Sequence, residues 1–123
     1  MEADERVSAY LDALPTEVRS GRPGEWSLTL QAAGHPLEIS LARRSLLLRA
    51  EAAVLPPGLI EPRQLLFWNR QAPLVCFAEN EAGEVLVCGE VPLRALDAEV
   101  VDQFLGLLLA SATRAREFVL PGA

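Results

Sequence analysis

Few side chains in this sequence could carry out chemistry: one histidine, two cysteines and a scatter of carboxylates. His35 sits between Gly34 and Pro36 in a predicted turn, and to serve as acid, base or ligand it needs a positioned partner. It reads as a solvent-facing turn residue. Cys76 and Cys88 could form a nucleophile or a redox pair, but a reactive thiolate needs positive charge or a helix N-terminus beside it. Apolar strand surroundings raise a thiol pKa instead, so the two read as small hydrophobes in a sheet. A disulfide between them is disfavoured in a reducing cytoplasm. Glu79, Glu81, Glu84 and Glu90 gather in one stretch and read as solubilising charge rather than a hydrolytic carboxylate pair. Arg43, Arg44 and Arg49 read as a polar turn and a solvated strand face rather than an anion site. One histidine and two cysteines are thin material for a metal. No GxSxG, P-loop or GxGxxG occurs. The expectation is a protein with no catalytic, cofactor or metal residues, hence not an enzyme.

The elements that hold these residues centre on Pro73 to Val91. Two apolar runs, Leu74 to Ala78 and Val85 to Val91, flank Asn80-Glu81-Ala82-Gly83. A three-residue loop with Gly83 at positive φ sets Cys76 opposite Cys88 and Phe77 opposite Val87. Val75, Phe77, Val85 and Val87 then share one face, on which something must pack. Leu74, Cys76, Leu86, Cys88 and Glu90 share the other.

The remaining pattern supplies the cover and more sheet. Val7, Tyr10, Leu11 and Leu14 recur at helical spacing, which predicts a helix over 2–14. Residues 16–24 hold two glycines and a proline without periodicity and read as a loop. Alternation predicts strands over 25–32, 37–42 and 46–53, an antiparallel meander. Glu61-Pro62 opens a short helix to 69. Strands over 74–79 and 84–91 follow, then a helix over 97–118 with Asp97 as N-cap. The expected fold is α+β: a five-stranded antiparallel sheet with elements in the order α-β-β-β-α-β-β-α, in one domain over 1–123.

Composition narrows the class. Half of the 123 residues are hydrophobic and 23% are charged, which is globular composition. No apolar run reaches the about 18 residues that span a bilayer. An acidic, polar N-terminus reads as no signal peptide, so the expected compartment is the cytoplasm. The net charge is −6, with eleven basic residues, all arginine. Phosphate binding needs a positive field, so direct nucleic-acid binding is disfavoured.

The most informative cluster is Leu65-Leu66-Phe67-Trp68. Four bulky residues on two turns cannot all face one core. Some must meet a second surface, and aromatic anchors are enriched at protein interfaces. Substituting Phe67 and Trp68 by polar residues is expected to yield a folded monomer.

Leu65-Leu66 followed by Asn69, then a hairpin, Pro92-Leu93 and a long apolar helix, resembles the class I type III secretion chaperone fold and the YbjN-like bacterial proteins that share it. The resemblance covers residues 25–119. It implies a small, acidic, cytoplasmic, homodimeric protein without catalytic site or cofactor, which binds another polypeptide through apolar grooves and sheet edges. By resemblance, Leu65, Leu66, Phe67 and Trp68 with the hairpin cysteines Cys76 and Cys88 match the dimerisation region. Val7 and Leu11 of the first helix, with Trp26, Leu28 and Leu30, match the client-binding side. The short first helix and the loop Ser20 to Gly24 favour the YbjN-like branch.

The functional expectation is a non-enzymatic, homodimeric, chaperone-like module that holds a partner protein or an extended segment of it. The alternative is a small-molecule-binding domain or small enzyme with a pocket between sheet and C-terminal helix.

Overall fold

A computed structural model of the chain describes residues 2–120. Its elements are α1 (Glu2–Asp12), β1 (Val18–Ser20), β2 (Glu25–Ala32), β3 (His35–Arg44), β4 (Leu47–Leu55), α2 (Pro62–Asn69), β5 (Val75–Glu79), β6 (Val85–Pro92), a 3-10 turn (Leu93–Ala95) and α3 (Ala98–Val119). The strands form one antiparallel sheet in the order β1-β2-β3-β4-β6-β5. Among the described residues no helix is long and apolar enough to cross a membrane.

Alternation builds the sheet. Trp26 and Leu28 of β2, Leu37, Ile39 and Leu41 of β3, Leu48, Ala50 and Ala52 of β4, and Val85 and Val87 of β6 are all buried. Val75 and Phe77 of β5 complete this face, so the expected face of the hairpin is the core face. Helices cover it. α3 contributes Val101, Phe104, Leu105, Leu108, Ala112 and Ala115 at helical spacing. Its N-cap is Asp97, whose Oδ1 accepts the Val100 N–H at 2.8 Å. α1 lies beside it, with Val7 and Leu11 wholly buried.

The hairpin register is the expected one: Cys76 pairs with Cys88 and Phe77 with Val87. Asn80 N–H donates to the Glu84 carbonyl, closing a three-residue loop with Gly83 at φ 84°.

The sheet has six strands where the sequence predicts five. β1 lies inside the stretch read as a loop. Three residues cannot display a period, and β1 exists only by pairing with Trp26 to Leu28 of β2. α1 stops at Asp12, and Leu14 folds back to donate to the Leu11 carbonyl. β3 begins at His35, paired with Ala32, so the tight turn is Ala33-Gly34 and His35 is an exposed strand residue. β4 begins at Leu47, one residue later than expected, and Leu46 is an exposed turn residue after Ser45 at φ 58°.

Candidate functional site

α2 separates the bulky quartet by helical rotation. Leu65 and Trp68 turn inward, Trp68 to 6% exposure. Trp68 lies between Phe77 of β5 and Phe118 of α3, at centroid distances of 5.6 and 5.2 Å, and the Arg114 guanidinium sits 5.4 Å from its ring centroid. Leu66 and Phe67 turn outward and stay 67% and 52% exposed. Leu74, just before β5, is also exposed, at φ 66°. Holding a leucine in the left-handed region costs about 1–3 kcal/mol. Cys76 is exposed on the helix-free face, whereas Cys88 is buried beside it. Of the six residues expected at a dimer interface, Leu66, Phe67 and Cys76 therefore have free surface. Leu65 and Trp68 are packed within the chain, because α2 must fill the space over β5, and Cys88 is buried on the other face of the sheet between β4 and β5.

Asn69 ends this helix with a specific task. Its Nδ2–H donates to the Phe77 carbonyl at 3.0 Å, and its Oδ1 accepts the Phe77 N–H at 2.6 Å. That pair blocks the open edge of β5, a common hazard of edge strands. The opposite edge is more open. β1 covers only Trp26 to Leu28 of the eight-residue β2.

Beside that open edge lies a groove of about 280 Å³ between the α1 end, β2 and α3. Leu14, Leu28, Leu30, Leu105 and Leu109 line it, with Pro15, Thr16, Gly106 and Asp102. A second, broader trough of about 780 Å³ runs along α3 past Ala110 and Thr113 to Trp68 and Phe118. The two share Gly106 and Leu109. Gly106 is solvent-facing, and the place where its Cβ would sit has no heavy atom within 4 Å. Small side chains here leave the α3 surface low between apolar walls. Of the five residues expected on the client side, Leu28 and Leu30 line the groove. Val7, Leu11 and Trp26 are core and act from below, by holding α1 in place. Trp26 Nε1–H donates to Ser8 Oγ at 2.9 Å. In the sequence the only visible sign of this track is a glycine amid an apolar helix.

The charged residues do not converge. Arg43 lies on the helix side and pairs with Asp4 of α1, and that hydrogen bond holds the Asp4 carboxyl below its ordinary value. Arg49, on the opposite face, lies between Glu51 and Glu90 at 3.8 and 3.4 Å. The three arginines thus form no common patch. Arg116 near the end of α3 donates to the carbonyls of Val54, Ala32, His35 and Pro36. This stitches the α3 end to the β2–β3 hairpin, and burial lowers its pKa. Among the described residues, no group of three or more His, Cys, Asp or Glu is placed to hold a metal.

No family model and no curated protein matches the sequence. Solved structures do match the fold. The ExsC–ExsE complex aligns with a TM-score of 0.69 at 21% identity, over 96% of this chain and 92% of the other. The Yersinia pestis type III secretion chaperone SycH, in complex with a stable fragment of YscM2, aligns at 0.67 and 13% identity, over 91% and 98%. The HopA1–SchA chaperone–effector complex aligns at 0.64 and 17% identity, over 94% and 90%. The fold is that of the type III secretion chaperones. Within the secretion-chaperone fold of this chain, the two apolar surfaces lie apart. One is the α2 end with Leu66 and Phe67, the other the track across α3.

Proposed function

We propose that the chain is a non-enzymatic, homodimeric, cytoplasmic chaperone-like module that holds an extended segment of another protein. The carrying observation is the track from Leu30 through Leu109 to Trp68. It is mostly apolar, with Thr113, Arg114 and Glu117 along its Trp68 end, open at its surface, and beside the part of β2 that β1 leaves unpaired. An extended segment can add to that sheet edge through its backbone and set apolar side chains into the groove. The chaperone complexes that share the fold support the same reading. Self-association is assigned to Leu66 and Phe67 at the α2 end, where a strained backbone holds Leu74 outward. The acid excess would favour basic or neutral segments and limit self-aggregation.

A small-molecule pocket between sheet and C-terminal helix is the competing reading. The groove offers only Asp102 and Thr16 as polar side chains, whereas small-molecule sites set several polar groups around a ligand. Apolar walls suit peptide side chains better.

Gly106 separates the readings without touching the core. Gly106→Trp fills the track, while Gly106→Ala leaves it open and removes a helix glycine, which raises stability by about 0.5–1 kcal/mol. In pulldowns from the native host, the wild type and the alanine variant should retain the same co-purifying protein, and the tryptophan variant should lose it with an unchanged circular dichroism spectrum. Equal retention by all three would remove the track from the mechanism.

A further inference from the structure

Cys76 and Cys88 belong to neither surface's packing needs, yet their sulfurs lie 3.8 Å apart across β5 and β6. We infer that these two thiols are an oxidisable pair, which closes into an intrachain disulfide when a disulfide of the glutathione class is the oxidant. Three observations carry this. The first is register. Asn69 takes up the N–H and C=O of Phe77 on the outer edge of β5, so the backbone groups of Cys76 point towards β6. Cys76 and Cys88 are thus a hydrogen-bonded antiparallel pair, whose Cα atoms lie about 5.5 Å apart. That is within the range of about 4.4–6.8 Å that disulfides span. Closing the 3.8 Å gap between the sulfurs needs side-chain rotation and a small approach of the two strands.

The second observation is asymmetry of access. Cys76 is exposed, while Cys88 is 8% exposed behind it. Cys76 is the sulfur an external disulfide can reach. Its thiolate attacks one sulfur of oxidised glutathione and releases one glutathione thiolate. The Cys88 thiolate then attacks Cys76 Sγ and releases the second. Two protein thiols lose two protons and two electrons, and one glutathione disulfide becomes two thiols. The third observation is the surroundings. The pair lies on the helix-free face, where Arg49 and Glu51 of β4 and Glu90 of β6 are its charged neighbours. Burial, chiefly, and Cys76 beside it push the Cys88 thiol up to about 11. Closure therefore quickens as pH rises towards that value, because the attacking species is the Cys88 thiolate. Exposed disulfides of this kind are the readily reduced ones, suited to reversible control. The bond would tie the edge strand β5, and α2 resting on it, to the centre of the sheet.

The full chain, treated with oxidised glutathione, quenched in acid and digested after glutamate, tests this. Cleavage after Glu79 and Glu84 separates the two cysteines. The expected product is one chain that has lost two hydrogens and both free thiols, with the fragments holding Cys76 and Cys88 joined until reduced. The Cys88→Ser variant should stop at glutathione-capped Cys76. Unreacted thiols after prolonged treatment, or Cys76–Cys76 links between chains as the main product, would overturn the inference. Because the bond is intrachain, its result is independent of whether the chain pairs with a second copy.

Discussion

Gly89 lets three elements meet at one point. It lies on the core side of β6, opposite Ala50 of β4 and Val75 of β5. A Cβ there would stand 2.5 Å from the Leu74 carbonyl oxygen and 2.8 Å from Cε1 of Phe104. Neither neighbour can withdraw, since one is backbone and the other a wholly buried ring. Gly89→Ala is expected to cost about 2 kcal/mol by overpacking. Urea unfolding should show a lower midpoint at unchanged slope. Leu74 itself sits at the centre of a tight turn in which the Val75 N–H donates to the Pro73 carbonyl at 2.8 Å, which sets its left-handed conformation.

At the scale of elements, each helix has its own tie. α3 is bound by its apolar stripe and by Arg116. α2 is bound by Leu65, Trp68 and the Asn69 clamp on β5. α1 is shorter, and its polar ties are Asp4 to Arg43, Arg6 to the Leu93 carbonyl, Ser8 to Trp26 and the Tyr10 hydroxyl to the Leu96 carbonyl. Arg43 lowers the Asp4 pKa. A carboxyl lowered in the folded state stabilises it fully above the unfolded carboxyl pKa, and this is lost as pH falls through the lowered value. Acidification below the ordinary carboxylate range should therefore loosen α1. Trp26 emission reports it, because its indole nitrogen donates to α1. Asp4→Asn should abolish that acid step and resemble the acid form at neutral pH. An identical acid titration in the variant would assign the transition elsewhere.

At the scale of the whole molecule, apolar surface exceeds what one interior can hold. The core accepts Leu65 and Trp68 and leaves Leu66 and Phe67 outside. Leu66→Asp with Phe67→Asp should give a folded monomer by sedimentation where the wild type is a dimer. The change touches no core contact, so stability of the single chain should move by less than about 0.5 kcal/mol. A wild-type chain that sediments as a monomer at high concentration would remove self-association from the proposal. The two surfaces lie apart, so the monomeric variant should still retain the partner that Gly106→Trp loses.

Periodicity determined most of the architecture. Alternation within β2, β3 and β4 and around Gly83 set which residues face inward, because a strand has only two sides. The three- and four-residue recurrence from Val100 to Ala112 did the same for α3. The tertiary structure alone decided what depends on distant partners. β1 is too short to carry a period and exists through β2. Asn69 looks like a helix end until Phe77 comes within reach, and Arg43 looks like a turn residue until α1 brings Asp4 to it. Which of Leu65 to Trp68 would be core was open in the sequence, since all four are equally greasy. Docking against Phe77 and Phe118 chose Trp68 and left Phe67 for solvent or a partner. The track on α3 is likewise a product of packing. Its walls come from α1, β2 and α2, which are far apart in the chain and meet only when the sheet is covered.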